Sequence, residues 1–152
     1  MSSKYAVFEI NGEEYGMDVI EVSTIEKGLS IKKMANSPDN VKGKVNLRGN
    51  DIPVYSLRKK MGIEDKEPDK DTRFLITDVN GVNVAIETDR IIGILDVEPN
   101  DMYDIPQVIK CRNNSYIKSI ANMGDRRLIL ILDNDMLLDN EELAALQPKN
   151  KK

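Results

Sequence analysis

Histidine is absent from the 152 residues, and with it go the commonest general base and the usual nucleophilic triad. Cys111 is the only cysteine, so most zinc sites go too, and no internal disulfide can form, which fits a reducing compartment. Lys110 and Arg112 beside it favour the thiolate, although an incidental thiol is the simpler reading. Catalysis would have to rest on carboxylates or lysines, and no constellation of these stands out. Asp133-Asn134-Asp135 begins like a calcium loop, but Leu137 stands where the next oxygen ligand belongs. Gly43-Lys44-Val45 lacks the hydroxyl and the preceding glycine of a phosphate loop. No catalytic residue, cofactor or metal is expected.

Tryptophan is missing and aromatics are scarce at 5%, so there is little surface on which bases could stack. A net charge of -4 repels nucleic-acid phosphates and anionic membranes alike. No apolar run approaches the length that spans a bilayer, and Met1 to Val7 has no signal-peptide core. A soluble cytoplasmic protein is expected, in which the acceptor-like Asn113-Asn114-Ser115 goes unmodified.

What is present is a run of strands and turns, in a chain long enough for one domain with a real core. Asn11-Gly12 is a hairpin signal that sets Phe8 opposite Tyr15 and Ala6 opposite Met17. Asp18 can cap the brief turn that follows, after which Val22 and Ile25 present an apolar edge, readable equally as ordinary core. Ser37-Pro38 predicts one helical turn over 38–41. If Gly49-Asn50 is the next turn, Arg48 faces Asp51, Leu47 faces Ile52 and Val45 faces Val54. Pro53 cannot donate to a ladder, which predicts that its strand lies at a sheet edge or bulge. Ser56 caps a helical turn over 57–61, and Gly62 suits its left-handed exit.

Residues 63–71 read as a solvated loop, beyond which Asn80-Gly81 and Gly124-Asp125 echo the first two turns in order. Leu128 to Leu132 is apolar on both alternation phases, as in a strand covered on both faces at the seam of two half-domains. Asp139 with Glu142 starts a terminal helix whose apolar stripe is Leu143 and Leu146, with fraying from Pro148. The expected fold is mainly β, with short helical turns and a C-terminal helix.

Gly43, Asn46-Leu47-Arg48-Gly49, Ile52-Pro53-Val54, Leu57-Arg58 and Gly62 form one compound signature. Flanking it in order are Glu14 to Asp18, Met34 to Pro38, Asp89-Arg90-Ile91 and Gly124-Asp125-Arg126. Together these segments resemble the CheW family of bacterial chemotaxis coupling proteins, over almost the whole chain. The resemblance implies two SH3-like five-stranded β-barrels around a shared hydrophobic core. They would form one domain over 1–148, with half-domains of roughly 15–65 and 72–133, interleaved or successive, and a disordered tail at 149–152. It further implies a non-enzymatic adaptor, monomeric in isolation, that joins the cytoplasmic tip of chemoreceptors to the regulatory domain of the histidine kinase CheA, recruited from the cytoplasm to membrane-associated arrays.

On that resemblance, Val22, Gly43, Arg48, Ile91 and Ile94 match receptor-binding positions, and Val41, Lys42 and Lys44 mark the kinase-facing edge. An amphipathic receptor helix would bury apolar side chains against Val22 and Ile91 while Arg48 fixes its register. Against this stands an internal pair of Arg48 with Asp51, worth about 0.5 kcal/mol if exposed, and a solvated strand face for both lysines. Asp51, Thr24, Ser56 and Met61 depart from residues frequent in the family, Thr24 replacing an acidic one. A small β-barrel that binds nucleic acid or a soluble ligand is the alternative.

Overall fold

The computed structural model describes residues 3–105 and 116–146. Cys111, the Asn113-Asn114-Ser115 triplet and the tail from Pro148 lie outside the described residues. Three tight turns organise the strands, each with glycine in its second position. Strands β1 (Ser3–Ile10) and β2 (Glu13–Asp18) meet at Asn11-Gly12, with φ of 53° and 84°. Phe8 pairs with Tyr15, their ring centroids 6.1 Å apart, and Ala6 with Met17, as expected. The Asp18 carboxylate accepts the Ile20 N–H at 3.1 Å and caps the 3-10 turn Val19–Glu21, which leads into β3 (Val22–Glu26).

Strands β4 (Val41–Leu47) and β5 (Asn50–Ser56) turn one residue earlier than expected, at Arg48-Gly49. Both turn residues need left-handed backbone, and Gly49 takes the second place at φ 89° as Gly12 does in the first hairpin. Arg48 accepts φ 53°, and the Asn46 Oδ1 accepts the Gly49 N–H at 3.2 Å. Leu47 therefore pairs with Asn50, Asn46 with Asp51 and Val45 with Ile52, so Arg48 does not face Asp51. The helical turn expected over 38–41 is a single hydrogen-bonded turn, Val41 N–H to the Pro38 carbonyl at 3.0 Å, because Val41 already belongs to β4. Helix α1 (Leu57–Lys60) is capped by the Ser56 hydroxyl, and Gly62 leaves it at φ 77°.

Strands β6 (Arg73–Val79) and β7 (Val82–Thr88) form the third hairpin, across Asn80-Gly81. Next come β8 (Arg90–Val97), the short β9 (Met102–Asp104), and the pair β10 (Ile117–Asn122) and β11 (Leu128–Leu132). Helix α2 (Asn140–Leu146) begins with the expected capping box: the Asp139 N–H donates to Glu142 Oε1 at 3.0 Å and the Glu142 N–H to Asp139 Oδ1 at 2.8 Å.

The molecule is mainly β, with two sheets. One runs β8-β1-β2-β11-β10-β9, the three-residue β9 adding a sixth strand, and the other runs β3-β6-β7-β5-β4. The second sheet is drawn from one stretch, 22–88, while the first takes strands from before and after it. Strands β6 and β7 thus pair with β3 and β5, and the 15–65 and 72–133 bounds do not coincide with sheet membership. Nor is β5 an edge strand: it lies between β4 and β7. Pro53 is tolerated because the parallel pairing with β7 begins only at Val54. The two outer strands of the second sheet are drawn together where Lys32, beyond β3, pairs with Lys44 of β4 through backbone bonds of 2.8 and 2.7 Å.

Alternation sorts the apolar residues into three cores. Phe8, Ile10, Met17, Tyr55, Leu75, Val84, Ile86 and Leu132 come from both sheets and build the shared one. Val7, Ile129 and Ile131 line a core inside the first sheet, and Ile52, Val54, Phe74 and Ile76 one inside the second. Strand β11 feeds both neighbours, Leu130 and Leu132 on one face and Ile129 and Ile131 on the other, which is why its sequence shows no alternation.

Candidate functional site

The edge strands β8 and β3 each carry a bulge, and each bulge does the same thing. In β8, Ile91 lies opposite Phe8 and Ile94 opposite Ala6, with the extra residue Ile92 between them. Phe8 and Ala6 both face the shared core, so Ile91 and Ile94, three apart in sequence, share that face. In β3, Val22 lies opposite Thr77 and Ile25 opposite Leu75, again across a register shift, and Leu75 faces the same core. The inner member of each pair, Val22 or Ile91, is half-buried against that core. The outer member is exposed, Ile94 at 52% and Ile25 at 37%. The result is an apolar rim on the shared core, supplied by one edge of each sheet.

Arg48 projects from the β4–β5 turn with its side chain 69% exposed. Its guanidinium lies 3.5 Å from Glu26 at the end of β3, which places it beside that strand, on the face opposite Ile25. Asp51, the alternative partner considered for it, is instead held by the Lys44 ammonium at 3.1 Å and the Asn46 amide at 3.2 Å, which together keep its carboxyl below the usual range. Gly43 is buried and presents nothing to a partner: a methyl there would run into the Lys32 carbonyl and lie 2.9 Å from Ile31 Cγ2. It is the gap through which the 31–32 backbone crosses β4.

The three kinase-edge residues are placed unlike one another. Val41 is core. The Lys42 ammonium is enclosed by Glu87 at 2.8 Å and Asp65 at 3.2 Å; burial would lower its pKa, but the two carboxylates outweigh it and raise it. Lys44 alone reaches solvent, beside Asp51.

Two features gave little sign in the sequence. Ile20 is 86% exposed on the Asp18-capped turn just before Val22, where its apolar character reads as core. Asp89 accepts from Nε and Nη2 of the Arg58 guanidinium, at 3.1 and 2.6 Å, and its Oδ2 also accepts the Asn11 N–H at 2.8 Å. The partners lie 31 and 78 residues away along the chain, out of reach of any local pattern. Among the described residues no group of carboxylates, cysteines or histidines is placed to hold a metal, and no helix is long and apolar enough to cross a membrane.

Compared with known families, residues 4–142 match the model of the CheW-like domain. The chain belongs to the CheW family. It is 28% identical over 146 residues to the chemotaxis protein CheW of Klebsiella aerogenes, covering 96% of this chain and 87% of that one. The CheW of Bacillus subtilis is 28% identical over 145 residues, with 95% and 92% covered. In three dimensions the chain superposes on the scaffolding protein TtCheW of Thermoanaerobacter tengcongensis with a TM-score of 0.77 at 30% identity, covering 87% and 89% of the two chains. The paired sheets and shared core described above are thus a CheW fold, and the family is one of chemotaxis scaffolds.

Proposed function

We propose that this CheW-family chain is a non-enzymatic adaptor that couples chemoreceptors to the histidine kinase CheA by holding both. The observation that carries the reading is the apolar rim. Two bulged edge strands, one per sheet, present Val22 with Ile25 and Ile91 with Ile94 along the margin of the shared core. An amphipathic helix of the receptor's cytoplasmic tip would lay its apolar stripe there, and Arg48, exposed beside β3, would read its charge and fix its register. Gly43 serves this surface from beneath, by letting the 31–32 segment close the second sheet against β4.

The kinase's regulatory domain would meet the surface around β4, where the Lys44 side chain is the accessible cation while Val41 and Lys42 hold that strand in shape. Chemistry plays no part in this scheme. The adaptor acts from the cytoplasm, as a monomer until an array gathers it, and receptor state reaches the kinase while both contacts stand.

Arg48→Glu tests it. The exposed pair with Glu26 is worth about 0.2–1 kcal/mol, so the circular-dichroism spectrum and melting temperature should stay near wild type. Co-sedimentation with receptor-containing membranes and kinase should be lost. Unchanged co-sedimentation would remove Arg48 from the site.

A further inference from the structure

Strand β7 ends at Thr88 in one sheet and β8 begins at Arg90 in the other, so a single residue, Asp89, carries the chain across. That residue is held on every side. Its backbone N–H donates to the Glu9 carbonyl at 2.9 Å, tying it to β1. Its carboxylate accepts the Asn11 N–H in the β1–β2 turn and the Nε and Nη2 donors of Arg58 from α1, at the end of the second sheet. Arg58 in turn donates to the Glu64 carbonyl at 2.9 Å. The side chains of the pair are only 15% and 19% exposed. A bidentate guanidinium–carboxylate pair fixes orientation as well as distance, which a lone point charge would not. Ile91, the inner residue of the rim on β8, follows two positions later.

We propose that Asp89 is a positioning residue: by clamping the one-residue crossover to both sheets, it sets where Ile91 and Ile94 stand relative to Val22 and Ile25, and so the width of the docking rim. The shared core holds the sheets together, but apolar packing is non-directional and leaves small displacements of an edge strand inexpensive. Strand β8 has β1 as its sole neighbour among the described strands, and a bulge interrupts that pairing beside Ile91. The clamp supplies the direction that the ladder does not. Its electrostatics agree: burial would push the Asp89 carboxyl up, yet Arg58 and the Asn11 N–H outweigh it and hold it below the usual range.

This rests on the reading of the rim as the receptor-docking surface, and the test separates the two. Isoleucine δ1-methyl spectra of wild type, Asp89→Asn and Asp89→Glu would be recorded together with affinities for a soluble receptor-tip fragment and for the kinase regulatory domain. In Asp89→Asn the Ile91 and Ile94 methyls should move while Ile52, Ile76 and Ile129 stay. Affinity for the receptor fragment should fall about tenfold and that for the kinase domain less than twofold. Asp89→Glu, which keeps a carboxylate for Arg58, should recover most of the receptor affinity. Methyls of Ile91 and Ile94 left in place would overturn the proposal, and so would equal loss of both affinities in step with the melting temperature. Should wild type itself ignore the receptor fragment, the docking reading fails, and the methyl shifts alone decide whether Asp89 positions β8.

Discussion

Gly43→Ala puts a number on how the second sheet is closed. The added methyl would meet the Lys32 carbonyl group, with the Lys32 carbon and Ile31 Cγ2 both at 2.9 Å, closer than carbon atoms approach without displacement. Most of that resistance is backbone, so the segment around Lys32 has to lift off β4. Two hydrogen bonds then break, Lys32 N–H to the Lys44 carbonyl and Lys44 N–H to the Lys32 carbonyl, at about 0.5–1.5 kcal/mol each. Leu29 and Ile31, packed at the margin of the second sheet's own core, lose part of their burial, which adds about 1–2 kcal/mol. Alanine's lower unfolded-state entropy returns roughly 0.5–1 kcal/mol. The net loss is about 1–4.5 kcal/mol, which corresponds to a melting shift of roughly 2–18 °C in a domain of this size. Urea unfolding with a common slope measures the energy, and amide exchange at Lys32 and Lys44 locates it. A loss under about 1 kcal/mol, or undiminished protection at those two amides, would refute the idea that Gly43 exists to let the chain cross.

Tyr55→Phe removes the hydroxyl that donates to both oxygens of the buried Glu142, at 2.8 and 2.9 Å, leaving it the Asn40 amide and the Asp139 N–H; a loss of about 1–3 kcal/mol in urea unfolding is expected. In wild type, burial and then Glu142 raise the Tyr55 pKa, so its phenolate should be missing from the absorbance titration near pH 10 and appear only with alkaline unfolding. The native pKa of Asp89 lies below the ordinary 3.8, so the ionised carboxylate stabilises the fold above that value, and the contribution disappears as pH falls through the lowered native pKa. The stability gap between wild type and Asp89→Asn should therefore be full at pH 7 and close on acidification; a gap that widens in acid contradicts the clamp. Lys42→Ala strands Glu87, whose side chain is 10% exposed, and should cost up to about 3 kcal/mol, whereas a lysine serving only as a partner contact would leave stability unchanged.

Local chemistry made much of this fold readable. Asn11-Gly12 and Asn80-Gly81 specify their turns because asparagine and glycine both tolerate left-handed backbone, and the Ser56 and Asp139 caps satisfy orphan helix N–H groups with side chains nearby in sequence. The turn at Arg48-Gly49 lies one residue before the one its sequence predicts, for a related reason. Asn50 has the better left-handed propensity, but the pairing of Val45 with Ile52 and of Gly43 with Val54 fills the second sheet's core and draws Arg48 into the turn. The sheet order lay beyond local signals, since the parallel contacts of β5 with β7 and of β2 with β11 join strands far apart in sequence. The rim was half visible. Val22, Ile25, Ile91 and Ile94 could be picked out, but their spacing of three contradicts a strand period of two, and only the bulges reconcile them.

The same geometry bears on position 24. Thr24 lies opposite Ile76 and Glu26 opposite Phe74, so the two share the face of β3 that turns toward the second sheet's own core. The Thr24 hydroxyl is buried without a hydrogen-bond partner among the described residues, so it makes no hydrogen bond to Arg48. Glu26, one step further along that face and nearer the β4–β5 turn, supplies the carboxylate, and its 3.5 Å separation from Arg48 spans the two outer strands of the sheet. Arg48 thus has its anionic partner at the end of β3, while the guanidinium remains mostly in solvent. If a receptor acidic group competes for Arg48, it has to displace a weak, exposed pair, and that exchange costs little. Glu26→Gln should accordingly raise receptor affinity modestly, on the order of twofold to fivefold for a fraction of a kcal/mol, and make it more sensitive to salt. A fall in affinity would mean that Glu26 holds Arg48 in its working orientation, and the pair would then have to be read as part of the docking surface itself.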